Sequence, residues 1–176
     1  LEYFIGYDYL FGGISWDQIL ILMGILIVAT IIPGFGEEFG WRGYMLPGLA
    51  QNYTPRKAVL IHSIVWWSWH VPALAIGWII IASTGGAIVA LTIIMGAAIS
   101  VFGLGVVFAY IWSRSGSVAV ASMFHAFNNG LKDSLQIVGI GLLGPLSSIW
   151  SSLVMLILGV ILIWKGKWET LEKLKK

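Results

Sequence analysis

The stretch Gly34-Phe35-Gly36-Glu37-Glu38-Phe39-Gly40-Trp41-Arg42-Gly43 decides how this chain must fold, because it places two carboxylates and a guanidinium among apolar segments. Moving an unpaired ion out of water costs several kcal/mol or more. On a helix, Glu38 and Arg42 are four residues apart with the acid first, the favourable order for an ion pair. Glu37 lies about 100° around the helix from Glu38. The spacing therefore predicts that Arg42 holds Glu38 and leaves Glu37 free for chemistry.

The composition is that of a polytopic membrane protein. The 176 residues are 59% hydrophobic and 10% charged, with a mean hydropathy of +0.91. Soluble domains carry about 25% charged residues. The absence of cysteine excludes disulfides, thiol nucleophiles and cysteine-ligated metals. The net charge of +2 is too small to suggest nucleic-acid binding.

Five apolar runs predict an all-α transmembrane helix bundle of about five membrane helices. They have 15–26 residues, against the roughly 20 needed to cross a bilayer. The first is expected to break at Pro33-Gly34, and residues 132–145 are expected to be irregular or interfacial. The predicted helices are 18–33, 57–82, 87–112, 117–131 and 146–164.

The placement of charge predicts an orientation in a cell membrane. If successive connections alternate sides, the acidic residues Glu2, Asp8, Asp17 and Asp133 share one face with Lys132 alone. Under the positive-inside rule, the other face and the basic tail 165–176 are cytoplasmic, with anionic lipid as a contact. The basic residues on that other face are Arg56, Lys57, Arg114, Lys165, Lys167, Lys173, Lys175 and Lys176.

Two histidines on different predicted helices fall at similar depths. His70 follows Lys57 by 13 residues and His125 follows Arg114 by 11, which correspond to roughly 20 and 16 Å from the cytoplasmic end. Asn129 shares a helical face with His125. Ionisable residues inside a membrane indicate function by default.

The predicted depth of Glu37 agrees less well with the depths of the two histidines. Counted from Asp17, a straight helix would carry Glu37 to the cytoplasmic end, about 30 Å away. Either the break at Pro33-Gly34 turns the Glu37 segment back into the bundle, or the first span begins elsewhere. His62 lies near the polar end of its helix and is expected to be interfacial.

A carboxylate, two imidazoles and an amide in a dry cavity suit the attack of water on a carbonyl. The carboxylate would act as general base, and imidazole or amide donors would stabilise the developing oxyanion, at about 2.7–4 kcal/mol per donor. Other intramembrane protease chemistries are not indicated, since H-E-x-x-H, G-x-S-x-G and a membrane aspartate pair are all missing. A structural ion cluster, interhelical hydrogen bonds and a transporter-type proton relay are the alternatives.

Three ordered motifs resemble the signatures of the CPBP family, which comprises type II CAAX prenyl endopeptidases and bacteriocin-processing or self-immunity proteins. They lie within residues 34–131, where the second motif begins with Trp66 rather than the family's usual phenylalanine. The motifs are Glu37-Glu38-x-x-x-Arg42, Trp66-x-x-x-His70 and His125-x-x-x-Asn129.

The resemblance implies a glutamate-dependent intramembrane endopeptidase acting on a peptide or protein substrate, prenylated or not. It makes Glu37 the base and His70 a residue that orients the water. His125 and Asn129 would form the oxyanion hole, and Glu38 with Arg42 would support the site. A self-immunity or maturation factor with the same site is the alternative within the family.

The resemblance also bears on cofactors and domain organisation. Glu37, His70 and His125 would in principle make a zinc site with an open water position, although an asparagine beside the second histidine better suits an oxyanion donor. Residues 1–176 are interpreted as one transmembrane domain with its catalytic core at about 34–131. Family members carry further spans before the Glu-Glu motif, so upstream helices are expected to be missing.

Overall fold

A computed structural model describes residues 15–143 and 146–174, and the described elements are helical. Glu2, Asp8, Lys175 and Lys176, which entered the predicted charge distribution, lie outside the described residues. The elements are α1 (Trp16–Glu38), a π-helical segment (Phe39–Met45), α2 (Leu46–Asn52), α3 (Pro55–Gly85), α4 (Ala87–Ser115), α5 (Val118–Leu143), α6 (Leu146–Lys165) and α7 (Glu169–Leu174).

The first helix does not break where the sequence predicted. It continues through Pro33, so that helical structure extends over Asp17–Asn52, 36 residues. Proline removes one backbone donor, which membrane helices tolerate when neighbouring groups compensate. The predicted break at Pro33-Gly34 is therefore wrong. Glu38 lies 14 residues before Asn52, about 21 Å from that end, close to the depths predicted for the two histidines.

Residues 132–143 are also helical, contrary to the prediction of an irregular segment. They extend α5 beyond the predicted end at residue 131, while residues 144–145 lie outside the described part of the chain. Lys132 and Asp133 form an ion pair of 3.1 Å on this extension. Charged residues therefore do not end the helix, because their side chains can remain at its exposed surface.

Three long helical stretches confirm the predicted all-α membrane protein. Within the described residues, Asp17–Asn52, Pro55–Ser83 and Ala87–Ser115 are long and apolar enough to cross a membrane, and Ser152–Lys165 is a shorter apolar helix. The helices predicted at 117–131 and 146–164 are present as α5 and α6.

Helix packing arranges the bundle around α4, which lies along α3 on one side and α6 on the other. α1 packs antiparallel along α5, so that Thr30 Oγ1 donates to the Ala126 carbonyl at 3.2 Å. Glycines allow the close approach of α4 to α6 and of α5 to α1. A Cβ on Gly103 would lie 2.6 Å from the Met155 carbonyl carbon, and one on Gly130 would lie 2.8 Å from the Ile27 nitrogen.

The C-terminal segment packs onto the basic end of the bundle. Trp168 and Leu171 are fully or almost fully buried in a core shared with Leu46 of α2 and Trp112 of α4. Arg114 at the end of α4 pairs with a glutamate of α7. The end of α4, the start of α2 and the tail are thus held together.

We predict that Gly130→Ala lowers the free energy of unfolding by about 1–3 kcal/mol, the usual range for overpacking a close contact. The added methyl group must displace the backbone of α1 at Ile27. The measurement is reversible denaturation in mixed detergent micelles.

Gly24→Ala is the matched control, because no atom lies within 4 Å of the position that its Cβ would take. It should leave stability unchanged or raise it slightly. Equal stability of the two variants would contradict the close packing of α1 against α5.

Candidate active site

The site is built on the buried carboxylate of Glu38. Its Oε1 accepts hydrogen bonds from Arg42 Nη1 at 2.7 Å and from His125 Nδ1 at 2.8 Å. Glu38 and Arg42 are fully buried and His125 almost so. The ion pair expected from the spacing of Glu38 and Arg42 is therefore present, and it recruits a histidine from α5, 87 residues away in sequence.

Aromatic rings enclose the guanidinium of Arg42. Its central carbon lies 4.5 Å from the ring centroid of Trp66 and 5.2 Å from that of Phe108. Its Nη2 also donates to the Gly105 carbonyl at 3.4 Å. A desolvated cation gains about 2 kcal/mol or more from such a ring face. Residues of α3 and α4 thus compensate part of the cost of burying Arg42.

The π-helical segment holds Arg42 beside Glu38. It follows Glu38 directly, and Arg42 lies in its middle. A π-turn is wider than an α-turn and is often found at functional sites. Gly43 in the same segment lies against α5, since a Cβ there would lie 3.1 Å from Val118 Cγ2.

The backbone of α1 also lies against His125 at Gly34. A Cβ on this glycine would lie 3.7 Å from Cβ and Cγ of His125. Positions three and four residues further along a helix flank such a point on the same face, and these are Glu37 and Glu38. Both acids therefore border the His125 side of α1.

The two glutamates have different environments. Glu38 is fully buried and carries two hydrogen bonds through Oε1. Glu37 is only partly buried, and its inward-facing Oε2 has no hydrogen-bond partner in the described part of the chain. Glu38 is thus held by neighbouring side chains, whereas Glu37 remains available.

The remaining predicted residues lie around this centre without bonding to it. His70 Nδ1 lies 2.8 Å from the Trp66 carbonyl oxygen, and the centroids of the two rings are 4.7 Å apart. Trp66 in turn lies edge-to-face with His125, 6.3 Å between ring centroids. Asn129, one turn after His125, accepts at Oδ1 from Asn128 at 3.4 Å. Its own amide nitrogen makes no hydrogen bond among residues 15–143 and 146–174.

His62, which the sequence led us to expect at the membrane interface, is fully buried within the bundle. Its position near the start of α3 did not predict this burial. The helical stretch that continues past Pro33 brings Trp41 to within 6.3 Å of the imidazole, measured between ring centroids. Lateral packing, not depth, decides exposure here.

The described side chains do not assemble a three-ligand metal set. No group of three His, Asp or Glu residues in this part of the chain is placed to hold a metal ion. In the zinc alternative, Glu37, His70 and His125 would be the ligands, and both imidazoles would bind through Nε2, because Nδ1 of His125 contacts Glu38 and Nδ1 of His70 contacts the Trp66 carbonyl. As placed in the described part of the chain, these three residues do not converge on one point where a metal ion could sit.

Two contributors to the site carried no recognisable signal. The ring centroids of Phe108 and His125 lie 4.9 Å apart. The Gly105 carbonyl accepts a hydrogen bond from Arg42. An aromatic residue and a glycine within an apolar span resemble ordinary packing residues. Only the crossing of α4 with α1 and α5 shows what they touch.

Comparison with known families agrees with the three motifs. A family model described as Type II CAAX prenyl endopeptidase Rce1-like matches residues 19–131, more than half of the chain. Curated protein sequences and solved structures give no match. The matched range contains all six of the residues assigned from the motifs, from Glu37 to Asn129. The chain therefore belongs to the Rce1-like family of type II CAAX prenyl endopeptidases.

Proposed function

We propose that this chain forms the core of an intramembrane endopeptidase that cleaves a peptide bond by glutamate-activated water. The observation that carries the proposal is the contrast between the two acids. Oε2 of each acid is buried without a partner, but Arg42 and His125 bind Oε1 of Glu38, whereas no described residue hydrogen-bonds the carboxylate of Glu37. A general base needs a free lone pair within reach of water.

In the proposed reaction, Glu37 removes a proton from water as the oxygen attacks the substrate carbonyl. His125 Nε2 and the Asn129 amide donate hydrogen bonds to the resulting oxyanion. When the tetrahedral intermediate collapses, the C–N bond breaks and the protonated Glu37 returns its proton to the leaving amine. His70 orients the water: if its Nδ1–H donates to the Trp66 carbonyl, Nε2 is left as an acceptor.

Charge balance supports an oxyanion role for His125. Donation from both ring nitrogens requires the imidazolium form. With His125 protonated, the two carboxylates of Glu37 and Glu38 are balanced by His125 and Arg42, so the cluster is neutral. A neutral cluster is the less costly arrangement in a low-dielectric interior.

The proposed substrate is a peptide or protein segment, prenylated or not, reached from within the bilayer. The contacts that connect His70 to Trp66, Trp66 to His125 and His125 to Glu38 favour this over a proton relay, which would need the groups strung along the membrane normal. A bacteriocin self-immunity or maturation factor would use the same side chains. The proposed location is a cell membrane, crossed several times, with the C-terminal tail in the cytoplasm.

Glu37→Gln should abolish peptide cleavage while leaving the fold intact, because it removes only the basic lone pairs from a partly exposed side chain. The measurement is cleavage of a peptide substrate by protein reconstituted in lipid vesicles. Asn129→Ala should reduce kcat by about 10²–10³, the cost of one oxyanion donor.

Unchanged cleavage by Glu37→Gln would contradict the assignment of the base. The wild-type assay is repeated with a chelator. Activity lost there and restored by zinc would instead support Glu37, His70 and His125 as metal ligands.

Glu38→Gln should act on stability. Removing one partner of a buried ion pair costs about 3–5 kcal/mol, because the other charge is left uncompensated. Here Arg42 and His125 both lose their anionic partner. Detergent unfolding of Glu38→Gln is compared with that of Glu37→Gln, the same substitution one residue earlier. Equal stability of the two variants would show that the acids do not divide their roles.

The orientation can be tested because the chain has no cysteine. The basic end is assembled in the structure, where Arg56 Nη2 at the start of α3 donates to the Trp164 carbonyl of α6 at 3.0 Å. In intact cells, a membrane-impermeant maleimide should label Ser83→Cys at the opposite end. Lys173→Cys should react only after permeabilisation. The reverse pattern would place the tail outside.

A further inference from the structure

His62 is the buried titratable group that the proposed reaction does not use. It is fully buried on α3, and neither ring nitrogen has a hydrogen-bond partner in the described chain. A buried polar group without a partner costs about 1–3 kcal/mol, so such groups rarely stay unpaired. Its neighbours therefore indicate what the imidazole binds.

The nearest charged neighbour is Arg42. Its guanidinium is close enough to act on the imidazole electrostatically. His62 also lies one helical turn before Trp66, whose ring supports the guanidinium. Trp41, next to Arg42 in sequence, packs edge-to-face against the His62 ring. His62 thus borders the guanidinium from the α3 side.

Most of the surface of the guanidinium already has a partner. Trp66 and Phe108 lie over the delocalised cation, Nη1 donates to Glu38 and Nη2 to Gly105. The Nε–H is buried, and no acceptor within residues 15–143 or 146–174 is bonded to it. The Nε of Arg42 and both ring nitrogens of the neighbouring buried imidazole therefore lack partners within the described structure.

We propose that His62 is a positioning residue: as a neutral imidazole it accepts a hydrogen bond from the Arg42 Nε–H and fixes the guanidinium that holds Glu38. A second positive charge beside the guanidinium would be repelled, so the neutral ring, which has one acceptor nitrogen, is the suitable form. An N–H···N bond between them would satisfy the Arg42 Nε–H and the acceptor nitrogen of His62, leaving the ring N–H to find a carbonyl.

Ser63 is the competing acceptor. Its hydroxyl is buried and unbonded in the described structure and faces Gly105, where a Cβ would lie 3.1 Å from Ser63 Oγ. A helical serine can satisfy itself on a backbone carbonyl of its own preceding turn. A helical imidazole can donate one ring N–H to such a carbonyl, as His70 can at Trp66, but its other nitrogen then remains an acceptor with no local donor. The geometry therefore favours His62, and Ser63→Ala serves as the control.

The positioning acts through a chain of contacts. His62 would orient Arg42, Arg42 orients Glu38, and Glu38 holds Nδ1 of His125. In catalysis this role rests on the proposed function, since His125 Nε2 must point at the oxyanion. The contact itself is independent of that function and is measured without substrate.

The direct test is NMR of detergent-solubilised protein labelled with ¹⁵N-arginine and ¹⁵N-histidine. The chain has three arginines, and Arg56 and Arg114 are exposed, so Arg56→Lys and Arg114→Lys assign the remaining Nε–H signal to Arg42. We expect that signal to exchange slowly with solvent and to show a through-bond ¹⁵N–¹⁵N coupling to a ring nitrogen of His62. Absence of the coupling in the wild-type protein overturns the contact.

Variants separate this contact from general packing. His62→Phe should abolish the coupling and accelerate exchange of the Arg42 signal, with the Arg56 and Arg114 signals unmoved. His62→Gln, which retains an acceptor, should restore part of the protection. Ser63→Ala should change nothing. An Arg42 signal that responds to Ser63→Ala and not to His62→Phe refutes the proposal, and the wild-type coupling remains decisive if His62→Phe does not fold.

Cleavage kinetics then test the role in catalysis. Loss of outer-shell partners typically costs 10–100-fold in activity, so kcat of His62→Phe should fall by about that factor with KM unchanged and partial recovery in His62→Gln. A normal kcat despite a perturbed Arg42 signal overturns the positioning role. A wild-type protein that never cleaves peptide removes the proposed function, while the coupling still decides the contact.

Discussion

The fold depends on how two charges from one helix are accommodated in an apolar bundle. Glu38 and Arg42 neutralise each other, but a bare pair would still be expensive to desolvate. The structure supplies an imidazole from α5, a carbonyl from α4 and the ring faces of Trp66 and Phe108. These compensating groups come from three different helices, α3, α4 and α5. Satisfying this one pair therefore specifies how α1, α3, α4 and α5 meet.

The same requirement explains why the first helix is continuous. Had α1 ended near Pro33, the acids would lie in a loop and need not meet His125. The helix instead continues to Asn52, with a π-helical segment that carries Arg42. Glycines at positions 34, 103 and 130 allow the backbones to approach closely enough for short polar contacts. Close helix approach through small residues is the usual mode of packing in membranes.

The sequence predicted which residues pair in the site better than it predicted how the helices are arranged around them. Spacing alone predicted the Glu38–Arg42 pair, and apolar runs predicted the helices correctly. Local signals failed where tertiary contacts override them. Proline did not end α1, and Lys132-Asp133 did not end α5. The partnership of Glu38 with His125 joins residues 87 positions apart. This contact depends on how each helix is rotated about its own axis, and hydropathy does not encode that rotation.

Adjacent acids in a membrane site are therefore unequal by construction. Successive helical residues point about 100° apart, so a single arginine four residues later can pair well with only one of them. The paired acid becomes structural because its removal would leave both Arg42 and Nδ1 of His125 without their acceptor. The other acid does not hold the helices together. If both acids shared Arg42 equally, protonating either would weaken the contact that orders the helices. Separating the two roles would allow a stable bundle to contain the base that we propose.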